Sequence, residues 1–188
     1  FINKLYSYLP KVCAQALEPF YYMDSPDYKF NEIFKDKKVL LITSHFDTSV
    51  SQIDHHQQIF PKPIFDKTTQ FKIYKPPQQN GGNHDDKSWK YHFEIIKKDI
   101  KEINEEFNFD IALVSCGGFG MITSNYIYAD IGKSVMYIGG GLQLFLGING
   151  NRWKNNIKIT CFKNEYWTVP YDSDKPIKPE LTENACYW

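Results

Sequence analysis

One arginine, Arg152, serves the whole chain of 188 residues. Lysine plus arginine total 22 and so do aspartate plus glutamate, giving a formal charge of zero. No broad positive field exists to attract a polyanion, so nucleic acid and anionic membrane are poor default partners. Long apolar runs are also missing. The longest, Val39–Ile42 and Ile111–Val114, are strand-sized, far short of the roughly 20 residues that cross a bilayer, and the first residues show no charged-then-apolar signal pattern. The cysteines are few and far apart. Cys13, Cys116, Cys161 and Cys186 form no C-x-x-C pair, so they read as reduced core thiols of a cytoplasmic protein, not as a zinc site or a disulfide framework. Phe1 is not an initiator methionine and the chain enters directly on a helical pattern, which points to further sequence upstream.

Aromatic residues are plentiful, with 13 Tyr, 14 Phe and 4 Trp, a composition that suits a packed globule and argues against disorder. A chain of this length fits one domain and buries roughly 70% of the surface its unfolded form exposes. Apolar spacing predicts a helix over residues 3–18, a turn at Asp24–Asp27 and a buried strand at Val39–Thr43. A helix from about Asp47 to Phe60 follows, with Val50, Ile53 and Gln57 at helical spacing and Pro61-Lys-Pro63 as its stop. Thr69–Tyr74 reads as a second strand and Pro76–Asp86 as a long loop. Trp89, Phe93, Ile96, Ile100 and Ile103 form one stripe of a helix over Trp89–Glu106, which leads into a strand at Phe109–Ser115. A helix from Phe119 to Ile131, a strand at Ser134–Ile138, a helical run at Leu142–Leu146 and a last strand at Ile157–Cys161 complete the body. The segment 164–188 is an irregular, aromatic, Pro-rich tail packed on it. Strands alternating with helices predict an α/β fold with a mostly parallel sheet.

In such a sheet ligands bind beyond the carboxyl ends of the strands, so the segments after Thr43, Ser115 and Ile138 are the candidates. Cys116-Gly-Gly-Phe-Gly120 removes side chains where a helix begins, and Gly139-Gly-Gly141 repeats the device one strand later. Two such turns favour a phosphate-bearing ligand over tight packing alone. Ser44, His45, Asp47, Thr48 and Gln52 stand at the end of the first strand, either holding a sugar or simply capping the next helix. His45 has an unperturbed pKa suited to a base. Arg152-Trp153 pairs a forked donor with a flat ring, suited to a phosphate and a base or sugar. Alternatively, Arg152 ties the tail down through Glu165 or Glu183. The acidic pairs Asp24–Asp27 and Asp85–Asp86 are at best minor candidates for Mg²⁺ or Mn²⁺.

Lys38-Val-Leu-Leu-Ile-Thr-Ser-His-Phe-Asp-Thr-Ser-Val-Ser-Gln52, Phe109–Gly120, Tyr137–Gln143, Phe145–Trp153 and the ending Glu183–Trp188 resemble a poorly characterised group of microbial proteins related to GT-D-fold glycosyltransferases. The similarity covers most of residues 15–188 and is most specific from Gly139 to Trp153. The resemblance implies a Rossmann-like three-layer sandwich that binds a nucleotide sugar, typically a UDP-sugar, for transfer to a glycan or protein acceptor in polysaccharide or glycoprotein assembly. Carried over position by position, Gly117, Gly118, Gly140, Gln143, Arg152 and Trp153 would line the site. The reading of the strand ends adds Ser44, Thr48, Gly120 and Gly141 as neighbours, with Asp47 or His45 to assist the acceptor hydroxyl. GT-D enzymes hold Mn²⁺ or Mg²⁺ through an upstream Asp-x-Glu-type motif that has no counterpart here, and His45 stands where relatives tend to carry proline. The expected alternative is therefore a non-catalytic structural or interaction protein that keeps the fold. A nicotinamide-dependent oxidoreductase ranks last, because the glycine fingerprint is incomplete. Richness in Asn, Lys, Ile and Tyr fits an AT-rich genome such as that of a giant virus, whose protein would work in the host cytoplasm, or of a protist.

Overall fold

The computed structural model describes residues 17–188. Most of the helix expected over residues 3–18 and Cys13 lie outside the described residues. Four strands, β1 (Lys38–Thr43), β2 (Gln70–Tyr74), β3 (Ile111–Ser115) and β4 (Ser134–Tyr137), pair in the order β2-β1-β3-β4, and all are parallel. The α-helical segments are α1 (Glu18–Tyr21), α2 (Phe46–Ile53), α3 (Trp89–Phe107), α4 (Gly120–Tyr126), α5 (Leu142–Phe145) and α6 (Ile157–Thr160); α4 continues into a π-helical turn at Ile127–Ile131, and short 3₁₀ turns lie elsewhere in the chain.

Composition decides which strands are central. Val39-Leu-Leu-Ile42 and Ile111-Ala-Leu-Val114 are apolar on both faces, as a strand covered from both sides requires. Gln70-Phe-Lys-Ile73 alternates, and β2 lies at one edge of the sheet. Successive β1 residues feed separate cores. Val39 and Leu41 join Ile111 and Leu113 in a core built with Phe20, Phe34, Phe65, Phe145 and Trp167. Leu40 and Ile42 join Ala112 and Val114 under Ile96 and Ile100 of α3 and Ile127. The sheet is thus sandwiched between two layers, the Rossmann-like α/β arrangement expected from the alternation of strands and helices.

Four local expectations are corrected. Residues Ile157–Thr160 form a helical turn, not a strand. The Asn156 carbonyl accepts from the amides of Ile159 and Thr160 and from Thr160 Oγ1, so local bonding claims the backbone groups a strand would need. α2 stops at Ile53, well before Phe60, because tight turns close at once from His55 N–H to the Gln52 carbonyl and from Gln58 N–H to the His55 carbonyl. Ile59 and Phe60 then drop into the core. The buried side of α2 is also polar: Thr48, Ser49 and Gln52 face inward, while Val50 is 49% exposed. Gln52 Nε2 donates to the carbonyls of Leu146 and Tyr166, which offsets its burial. Among the described cysteines, Cys161 is exposed, so it is not a core thiol.

Candidate functional site

β1 hands the chain through α2 to β2 on one side, whereas β3 hands it through α4 to β4 on the other. The connections diverge between β1 and β3, and a crevice at such a point is where open parallel sheets receive ligands. A cleft of about 390 Å³ lies there. Its floor is Ser44, following β1, and Cys116-Gly-Gly-Phe119, following β3, with Ile122 of α4. Pro76–Asn80, following β2, forms one wall, and Trp89 opens α3 at the rim.

The glycines separate into two kinds. A Cβ on Gly117 or Gly118 would meet nothing within 4 Å, and Gly117 has φ +53°. Their missing side chains leave real space, and it faces the cleft. The others make room for the protein itself. A Cβ on Gly120 would strike the Tyr137 ring, and one on Gly140 would strike the ring of Tyr187. Gly141 is buried, and Gln143, also buried, donates through Nε2 to the Ile148 carbonyl at 3.1 Å. The second glycine turn therefore seats the tail, while the first is open.

The tail also engages most of the polar residues that follow β1. Asp174, whose side chain is fully buried, accepts from the amides of Asp47 and Thr48 at 3.0 and 2.8 Å and from Thr48 Oγ1 at 2.6 Å. Thr48 Oγ1 in turn accepts from the Tyr171 amide. His45 is buried, with Nε2 donating to the Tyr187 carbonyl at 3.3 Å and its ring 6.0 Å from that of Trp188. Arg152 pairs with Glu183 at 3.1 Å and donates to the Tyr187 hydroxyl. Its own amide reaches the Cys186 carbonyl. The tie of Arg152 to Glu183 that the sequence offered is therefore present. Trp153 packs against the core with its Nε1 enclosed. Ser44, Gly117 and Gly118 are thus brought together in the cleft, whereas His45, Thr48, Gly140 and Arg152 meet one another through the tail.

Burial lowers the His45 pKa below its usual value, more than the nearby Asp174 carboxylate raises it. The imidazole is therefore neutral and acts as a structural donor. A folded-state pKa below that of the unfolded chain means that stability is complete above about pH 6.5 and is lost as pH falls towards the folded value. Urea denaturation at pH 7.5 and 5.5 is expected to show a loss of stability that His45→Gln, which keeps a donor but does not titrate, reduces. An equal loss in the two proteins would assign the acid sensitivity elsewhere.

Sequence reasoning did not find Asp174, Tyr187 or the carboxamides at 78–80. Asp174 stands in a Ser-Asp-Lys-Pro stretch with nothing to separate it from solvated acids. Trp89 was legible as a large aromatic but was assigned to the buried stripe of α3, and it is 58% exposed. Among the described residues no three His, Cys, Asp or Glu side chains gather as a metal site, and Asp85 is held by His92 Nε2 at 2.9 Å. No helix of the described residues is long and apolar enough to cross a membrane. Compared with protein-family models, with curated proteins and with solved structures, the chain matches none.

Proposed function

We propose that this protein binds a nucleotide sugar, of the UDP-sugar class, in the cleft between the ends of β1 and β3. The observation that carries the proposal is the pairing of a bare turn, Gly117-Gly118, with an aromatic and carboxamide wall at the divergence point of a parallel sheet. Bare backbone lets a phosphate or ribose come close. The resemblance to GT-D-fold glycosyltransferases extends this to transfer of the sugar to a glycan or protein acceptor, with Asp47 as the half-exposed acid nearest the end of β1. Transfer from a diphosphate would rest mainly on positioning and charge stabilisation.

A second reading, a non-catalytic binding protein, is favoured by one specific observation: His45, Thr48 and Arg152 are occupied in holding the tail. Both readings share the cleft. A ligand that binds only the folded state raises its apparent stability, so thermal-shift titration with UDP, UDP-sugars, GDP-sugars and NAD, each with and without Mn²⁺, is the test. A selective rise with UDP-sugars is expected. Gly118→Ala should leave stability within about 0.5 kcal/mol of the parent yet weaken that binding about tenfold, because the methyl group enters the cleft. Undiminished binding by Gly118→Ala would remove the cleft as the site, and release of free UDP only in the presence of an acceptor would separate transferase from binder.

A further inference from the structure

We infer that the aromatic and carboxamide wall of the cleft recognises an uncharged, hydroxyl-bearing ring, a neutral pyranose, and discriminates against sugars that carry a carboxylate. The inference depends on the nucleotide-sugar reading only in taking the pyranose to arrive on a nucleotide.

The cleft is lined without a single Lys, Arg, Asp, Glu or His side chain. Its one titratable group is the Cys116 thiol, which burial pushes up to about 11, so the lining is neutral at physiological pH. A carboxylate against the Gln78–Asn80 wall would lose water and gain no cation from the lining, which is costly, whereas the diphosphate is expected at the bare Gly117-Gly118 turn, where backbone groups can face an anion. A hydroxyl loses little, since it both donates and accepts. Three successive carboxamides, Gln78, Gln79 and Asn80, offer the complementary mixture of donors and acceptors.

Gln78 supplies the most specific observation. Its Oε1 accepts from Asn83 Nδ2 at 2.9 Å, while its Nε2 is enclosed with no acceptor. A donor left without a protein acceptor beside the cleft can be met by a sugar oxygen once the carboxamide turns towards it. Trp89 offers an indole left facing solvent, with the Lys90 ammonium 5.9 Å from the ring centroid and outside the cleft lining. An aromatic face with hydrogen-bonding groups beside it suits a ring that is apolar on one side and polar at its edge. The wall is also set in advance. The Gly81 carbonyl accepts from the Lys178 amide at 2.7 Å, Asn83 Oδ1 accepts from the Ile177 amide at 2.8 Å, and Pro176 fills the space where Gly81 has no side chain. A preformed wall loses less entropy when the ligand docks.

The test is calorimetric titration of the parent, Trp89→Ala and Gln78→Ala with UDP, a panel of neutral UDP-hexoses, UDP-glucuronate and the free methyl glycosides, with folding of each variant checked by circular dichroism. The best neutral UDP-hexose is expected to bind at least tenfold more tightly than UDP or UDP-glucuronate, and both substitutions should shrink that ratio. Equal binding of UDP-glucuronate, or a ratio untouched by both substitutions, would overturn the inference while leaving the nucleotide-sugar reading intact. Trp89-dependent binding of the methyl glycosides without any binding of UDP or UDP-sugars would do the reverse. Binding of no saccharide in any form would reject both.

Discussion

Asp174→Ala is expected to lower stability by about 3–5 kcal/mol, in the range for breaking a buried charged network, and the melting temperature by about 10 °C. The reason lies at the start of α2. Helices leave their first amides without internal partners, and here the residue at the cap position, His45, makes no capping bond with its side chain. Asp174 does so from the tail, 126 residues beyond Thr48, taking two amides and the Thr48 hydroxyl. A negative group in this place also complements the helix dipole, and Lys75 stands 3.6 Å away as its counter-ion. Alanine would leave three buried donors without an acceptor, each costing roughly 1–3 kcal/mol. Asp174→Asn, which retains size but turns an amide group towards donors, should fall between. Urea denaturation measures both. A loss below about 1 kcal/mol for alanine would mean that the tail is not a structural part of the α2 terminus.

Gly150→Ala is expected to cost about 2–4 kcal/mol, in the range for overpacking a rigid site. Its Cβ would lie 2.5 Å from the Tyr187 carbonyl oxygen and 2.7 Å from Gln143 Nε2. The first is backbone and the second is a buried side chain already bonded to Ile148, so neither yields easily. The contrast is Gly120→Ala. It meets only the ring of Tyr137, an exposed residue of edge strand β4 that has room to rotate, so a smaller loss is expected. Gly150→Ala should also release residues 183–188, read as faster proteolysis of the tail and altered Trp188 fluorescence. If Gly150→Ala proves as stable as Gly120→Ala, the tail is not closely seated against the Gly147–Gly150 segment.

Much of the scaffold was legible residue by residue. Apolar runs at Val39–Ile42 and Ile111–Val114 can be satisfied only by strands covered on both faces, and the stripe Phe93, Ile96, Ile100 and Ile103 can only be a helix packed on a sheet. Ser44 and Gly117-Gly118 followed from the rule that ligands gather beyond strand ends. The failures have two causes. Ile157-Lys-Ile-Thr alternates like a strand, but local hydrogen bonds to Asn156 won. α2 looked as though Val50 faced inward, whereas contacts to the tail at Asp174 and Tyr171 turned Thr48 inward.

By itself, then, the sequence determined the fold class and the ends of the strands, because hydrophobic period and glycine placement act over a few neighbouring residues. Only the tertiary structure decided which glycine turn stays open and which is filled by Tyr187. It also decided that Arg152 holds Glu183 and that Gln78–Asn80 and Trp89 face the cleft. These are matters of what the tail and the loop after β2 pack against, and local spacing carries no record of partners distant along the chain.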